Sequence, residues 1–80
     1  MTETEFRKIF AEFMTIPEDV DWSQVRYQEV EGWDSIAHMA LIGELEDQFG
    51  IMLETDDVID MSSYDKAKEI VAKYGQSISE

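Results

Sequence analysis

Apolar positions recur along the chain at helical spacing in three stretches, with a shorter fourth between the second and the last. Thr2-Glu3-Thr4-Glu5 has the spacing of a capping box, in which hydroxyl and carboxylate satisfy each other's backbone N–H groups. Phe6, Ile9, Phe10 and Phe13 then fall on one face, so the pattern predicts a first helix from about Thr2 to Thr15, closed by Pro17. An aromatic stripe on so short a helix is core rather than a ligand box.

Ile16 to Gly32 lacks sustained periodicity and holds Pro17-Glu18-Asp19 and Asp21-Trp22-Ser23, which are turn and local-cap sequences. It reads as a long loop pinned by burial of Val20, Trp22, Val25, Tyr27 and Val30. A second helix is predicted from Asp34 or Ser35 to Phe49, stopped by Gly50. At about 100 degrees per residue, Leu41, Leu45, Phe49, Ile42 and Met39 make one apolar arc with His38 near its middle. The opposite arc holds Ile36, Ala37, Ala40, Gly43, Glu44 and Asp47: small residues, one projecting apolar group and a fringe of carboxylates. After the apolar linker Gly50-Ile51-Met52-Leu53, the run Glu54 to Asp60 reads as a short third helix capped by Thr55. Ser62 or Ser63 caps a last helix in which Tyr64, Ala67, Ile70, Val71 and Tyr74 recur, ending before Gly75 with Lys66, Lys68 and Lys73 outward. Gln76 to Glu80 has no pattern that would order it. The expectation is an all-α fold, a small four-helix bundle with three longer helices and one short third helix, forming a single domain over residues 1–80 with a disordered tail at 76–80.

Charge changes this picture most. Nineteen acidic and 6 basic side chains give a formal net charge of -13, which repels nucleic acid and anionic lipid and points to basic partners. No Lys or Arg occurs from Tyr27 through Asp65, a span holding eleven Asp and Glu residues. Charge runs are also commonly solvated faces that keep a protein soluble. The acidic run lacks the alternating ligand loop of a calcium hand, and no metal site is expected. With 80 residues and no cysteine, the chain has no disulfide, thiolate site or cysteine nucleophile. No apolar stretch reaches membrane-spanning length, and Met1 to Glu5 is acidic where a signal peptide would be basic, so a cytoplasmic location is expected.

The chemistry concentrates at Glu31-Gly32-Trp33-Asp34-Ser35-Ile36. A turn residue, a capping carboxylate and a serine arrive together at the start of the second helix. Ser35 therefore sits at an exposed helix N-terminus, where unpaired N–H groups and the positive end of the helix dipole favour an attached phosphate. Alone, Asp-Ser at such a place is commonly just a cap. Ile36 is either a stray surface hydrophobe or part of a docking face beside the serine. His38 lies on the core arc without triad or metal-ligand spacing, so it reads as a packed or site-lining histidine and not as a base. Gly43 weakens the second helix by roughly 1 kcal/mol unless something approaches it closely. No nucleophile with a base, paired carboxylates in an apolar setting or glycine-rich phosphate loop is present, so no catalytic residue is expected.

Gly32-Trp33-Asp34-Ser35-Ile36, followed by Leu41-Ile42-Gly43-Glu44-Leu45-Glu46-Asp47-Gln48-Phe49-Gly50-Ile51, resembles the attachment helix of the acyl carrier proteins and their peptidyl carrier relatives. The resemblance implies a bundle of acyl-carrier type in which Ser35 bears 4'-phosphopantetheine, transferred from coenzyme A by a phosphopantetheinyl transferase. Asp34 would cap the helix, while Gly32 and Trp33 shape the preceding turn. Ile36, Ala40, Gly43, Glu44, Asp47, Asp56 and Asp57 are the expected partner contacts. Met39, Ile42 and Ile59 are expected to line a groove that shelters the cargo. Acyl intermediates, held as thioesters, would pass to acyl-transfer, ligase or synthase enzymes with basic docking patches, in fatty-acid, polyketide or other specialised acyl metabolism; the carrier itself is expected to be a monomer. Ala37, Ala40 and Gly43 stand where many carriers of primary fatty-acid synthesis have acidic or larger apolar residues, which favours a free-standing carrier of a specialised pathway. A peptidyl or D-alanyl carrier of an aminoacyl group is the near alternative. An acidic protein-interaction module without prosthetic group, with Ser35 merely capping, is the alternative from another class.

Overall fold

The computed structural model describes residues 1–17 and 19–79; Glu18 of the expected Pro17-Glu18-Asp19 turn and Glu80 of the expected tail lie outside the described residues. Helix α1, Glu3–Phe13, starts as its capping box dictates: Thr2 Oγ1 accepts from Glu5 N and Glu5 Oε1 accepts from Thr2 N, both at 3.2 Å. It ends at Phe13 and not Thr15, because Met14 is extended and Thr15 N donates to Glu31 O at 2.8 Å. The N–H that would have continued the helix is spent on the returning loop.

That loop contains one short 3₁₀ turn, Trp22–Gln24, opened by Asp21, whose side chain accepts from Ser23 N at 3.0 Å. Val25 is fully buried, and Val20, Trp22, Tyr27 and Val30 pack half-buried against the core, as their apolar character requires. Tyr27 N donates to Ser62 O and Tyr64 N to Val25 O, each at 2.9 Å, so the loop is strapped to the segment before the last helix.

Helices α2, α3 and α4 span Ser35–Phe49, Thr55–Asp60 and Tyr64–Lys73. Gly50 closes α2 in the left-handed conformation, with φ 65°. Phe6 and Phe10 of α1 meet Leu41 and Leu45 of α2 and Tyr64, Ala67 and Val71 of α4 in one core. Phe10 packs edge-on to Tyr64 with ring centroids 5.2 Å apart. Burial pushes the Tyr64 hydroxyl up to about 12. Glu3 Oε1 joins the first and last helices by accepting from Tyr64 Oη at 3.2 Å and Lys68 Nζ at 3.0 Å.

The short α3 departs from expectation in how it is held. Its N-cap is Glu54, not Thr55, and no side chain caps it from within. The Tyr74 hydroxyl instead accepts from Glu54 N at 2.9 Å and donates to Asp57 Oδ2 at 2.5 Å, while Lys73 Nζ donates to Asp57 Oδ1 at 2.5 Å. Asp57, expected among the exposed partner contacts, is thus a buried side chain, 5 % exposed, that ties α3 to the end of α4. Its place in an acidic run hid this, since Lys73 and Tyr74 lie far along the sequence. Of the patternless residues after Gly75, Ile78 and Ser79 are also laid down: Ser79 N donates to Met1 O at 3.1 Å, Glu3 N donates to Ser79 O at 2.6 Å, and Ile78 is half-buried against the core. Backbone pairing with the N-terminus, which no side-chain period can announce, supplies that order.

Two glycines test the backbone reading. Gly32 has φ +90°, and an added Cβ would lie 3.0 Å from Met14 Cα, whereas an added Cβ at Gly43 would meet nothing within 4 Å. Gly43→Ala should stabilise the fold by about 1 kcal/mol and raise the thermal midpoint by roughly 4–8 °C. Gly32→Ala should destabilise by at least about 1 kcal/mol. Thermal and denaturant unfolding measure both. The Asp57 carboxyl is held below the usual carboxylate range, first by the Lys73 hydrogen bond and then by that of Tyr74. A depressed folded pKa contributes stability above the unfolded value and loses it as pH falls through the folded one. The stability difference between wild type and Asp57→Asn should therefore be full at neutral pH and shrink once pH drops below about 4, measured by unfolding midpoints across that range.

Candidate functional site

The corner before α2 is assembled from backbone geometry outward. Gly32 supplies the positive φ that turns the chain against Met14, and Trp33 then enters the core, edge-on to Phe10 with centroids 5.5 Å apart. The Trp33 backbone is fixed on both sides: its N donates to Val30 O at 3.1 Å and its O accepts from Gln28 N at 3.0 Å. Asp34 follows as N-cap, Oδ1 accepting from Ala37 N at 2.9 Å. Ser35 is consequently the first residue of the helix and exposed, at the positive end of a 15-residue dipole. Gly32 and Asp34 act as expected of a turn and a cap. Trp33 does more, because its buried ring anchors the corner.

One turn into α2, His38 lies directly beneath Ser35, buried. Trp33 Nε1 donates to His38 Nδ1 at 3.0 Å, and His38 Nε2 stands 2.8 Å from Val58 O. An indole N–H only donates and a carbonyl only accepts, so both contacts are met by the neutral ring protonated on Nε2. Both ring nitrogens are engaged in structure, leaving neither to act as a base.

Beside this relay a groove of about 310 Å³ opens between α2 and α3, lined by Tyr27, Ser35, His38, Met39, Val58, Ile59 and Met61. Its wall is mostly apolar, apart from Ser35 at the mouth and His38 within. Met39 and Ile59 line it and are open to solvent, 59 % and 72 % exposed. Ile42 does not line it: at 4 % exposure it belongs to the core with Leu41 and Leu45. One further turn along α2 from Met39, Ile42 faces the core. Tyr27, Val58 and Met61 were missed, and nothing local in the sequence marks them. His38 carried one signal, its spacing of three from Ser35.

Around the serine, Ile36 projects at 81 % exposure. Ala40, Gly43, Asp47 and Asp56 are exposed as well, and Glu44 is half-buried with its carboxylate accepting from Gln48 Nε2 at 2.8 Å. Asp57 is withdrawn from this set by its buried bonds to Lys73 and Tyr74. A larger hollow, about 580 Å³, lies along α1 and the following loop, lined by residues such as Arg7, Pro17 and Trp22; it shares no lining residue with the serine groove. Among the described residues no group of three or more His, Asp or Glu side chains is placed to hold a metal ion. Among them, too, no helix is long and apolar enough to cross a membrane.

Residues 4–72 match the phosphopantetheine attachment site family. Comparison with curated proteins gives no match. The matched span runs from the first turn of α1 to the last turn of α4 and takes in the corner, α2, α3 and the groove between them. An exposed serine at a helix N-terminus, with an apolar groove beginning at its side chain, suits a group that joins through a phosphate and continues as a long arm. Over this length the chain belongs to the phosphopantetheine attachment family, as a helical carrier domain of the acyl carrier protein kind that bears covalent 4'-phosphopantetheine and is not itself an enzyme.

Proposed function

We propose that the chain is a free-standing acyl carrier protein, that Ser35 is its attachment residue, and that the groove between α2 and α3 shelters the acyl group. The observation that carries this reading is the continuity of Ser35 with an apolar groove lined by Met39, Val58, Ile59 and Met61. When bound, the arm supplies a thiol that holds an acyl group as a thioester activated for transfer. The protein's residues do the rest. Asp34 fixes the helix start, the unpaired N–H groups of the first turn favour the phosphate charge, and Trp33 keeps the corner from moving with the load. An apolar wall favours an acyl chain over the charged aminoacyl group of a peptidyl or D-alanyl carrier. The acidic module without prosthetic group loses its ground once the family is known.

The partners are a phosphopantetheinyl transferase and acyl-transfer, ligase or synthase enzymes whose basic patches meet the exposed carboxylates Asp47 and Asp56 and the half-buried Glu44, with Ile36 as the apolar anchor among Ala40 and Gly43. A cytoplasmic monomer of a specialised acyl pathway completes the proposal. Incubation with coenzyme A, magnesium and a broad-specificity transferase should add one phosphopantetheine to wild type and none to Ser35→Ala, read by intact mass. Addition to both proteins would move the attachment elsewhere. Ile36→Asp should slow transferase loading and acyl transfer about tenfold, a loss near 1.4 kcal/mol of docking energy, with an unchanged unfolding midpoint because the side chain is exposed. Unaltered rates would remove Ile36 from the docking face.

A further inference from the structure

One polar bridge crosses the otherwise apolar lining of the groove. His38 on α2 and Val58 on α3 both line it, and the His38 Nε2 to Val58 O bond of 2.8 Å joins the two helices there. Val58 lies in the last turn of α3, where carbonyls lack partners within the helix. Ser62 N, which would reach back to it in a longer helix, donates to Asp60 O instead. His38 thus satisfies a carbonyl that α3 leaves open. Behind the imidazole, the bond from Trp33 Nε1 at 3.0 Å ties the same ring to a side chain wedged against Phe10. A cargo chain that displaces His38 on its way from Ser35 toward the core must separate this bridge and strand the buried Trp33 indole N–H. An apolar methylene offers that N–H no bond in exchange.

We propose that His38 determines which cargo the carrier shelters, by closing the groove with its bridge from Trp33 to Val58 and so limiting it to short acyl chains. An enclosed apolar cavity of about 150 Å³ takes a benzene-sized guest. The groove has about 310 Å³ but is open to solvent and must also receive the end of the arm. That leaves space for roughly six carbons. Longer chains keep their distal carbons outside the core, exposed between Met39 and Ile59 or handed directly to a partner. His38 is a specificity-determining residue in this scheme and touches the cargo at its far end.

The proposal rests on the carrier reading for the identity of the cargo, and its test does not need the transferase. The chain has no cysteine, so Ser35→Cys offers a single thiol for N-ethyl-, N-hexyl- and N-dodecylmaleimide, which attach graded alkyl chains at the groove mouth. The unfolding midpoint should rise from the ethyl to the hexyl adduct and gain nothing further with dodecyl. The Trp33 indole N–H and the His38 ring nitrogens, followed by ¹⁵N NMR, should keep their positions in all three adducts. With His38→Ala added, the dodecyl adduct should exceed the hexyl adduct in midpoint and shift the Trp33 signal. His38→Gln, which retains a donor and an acceptor, should restore the plateau. A dodecyl adduct of the Ser35→Cys protein that displaces the Trp33 signal, or that is stabilised beyond the hexyl adduct, overturns the proposal, and this comparison stands even where His38→Ala fails to fold. Absence of transferase loading would count against the carrier reading and leave these outcomes as they are.

Discussion

The hydrogen-bond relay from the Trp33 indole through His38 to the Val58 carbonyl connects the core, the attachment helix and the groove wall. A buried hydrogen bond contributes only about 1 kcal/mol net, but leaving either end unpaired costs about 1–3 kcal/mol. The relay is therefore better understood as a constraint on arrangement than as a store of stability. Trp33 cannot leave Phe10 without releasing His38, and α3 cannot move away from α2 without exposing a carbonyl. The corner that presents Ser35 and the helix that closes the groove are fixed by the same imidazole.

Helix α3 shows why such ties are needed. Six residues do not make a stable helix in water, since nucleation is unfavourable and few bonds follow to offset it. Four acidic side chains in and before it, Glu54, Asp56, Asp57 and Asp60, add mutual repulsion. The helix is held from outside at both ends: Tyr74 and Lys73 grip its first turn through Glu54 N and Asp57, and His38 takes a carbonyl of its last turn. Burying one carboxylate in a hydrogen-bonded pair while leaving Asp56 and Asp60 exposed divides the acidic run into a structural member and solvated charges.

Local chemistry made much of this legible. The capping box at Thr2, the Asp34 cap, the left-handed Gly50 and the serine cap of α4 are each written in residues a few positions apart, and the structure places them as read. Ser35 at the start of α2 follows from the same grammar. Contacts between distant residues were not legible. Asp57 reads like its acidic neighbours until Lys73 and Tyr74 are brought beside it, Ile42 and Met39 share an arc although one is core and the other exposed, and the partners of Ser79 lie at the opposite end of the chain. Helical periodicity resolves which face turns inward; it does not resolve how far round that face a short neighbouring helix reaches.

A carrier must satisfy two opposed demands, since cargo has to be shielded in transit and surrendered on docking. Rigid placement belongs to the Ser35 corner, where Gly32 allows the close approach to Met14 and a buried tryptophan fixes the turn. Adaptability falls to the groove's outer lip, where Met39 and Ile59 are exposed and unbranched methionine adjusts to differing shapes at little cost. Ile36 follows Ser35 in the chain and is exposed as well, so under the proposed docking a partner that covers it reaches the mouth of the groove. Docking of the proposed kind would replace solvent at the lip with apolar surface, removing the advantage that would keep an acyl chain inside. Release in that arrangement needs no movement of the core, only a partner that offers the chain an equally dry place to go.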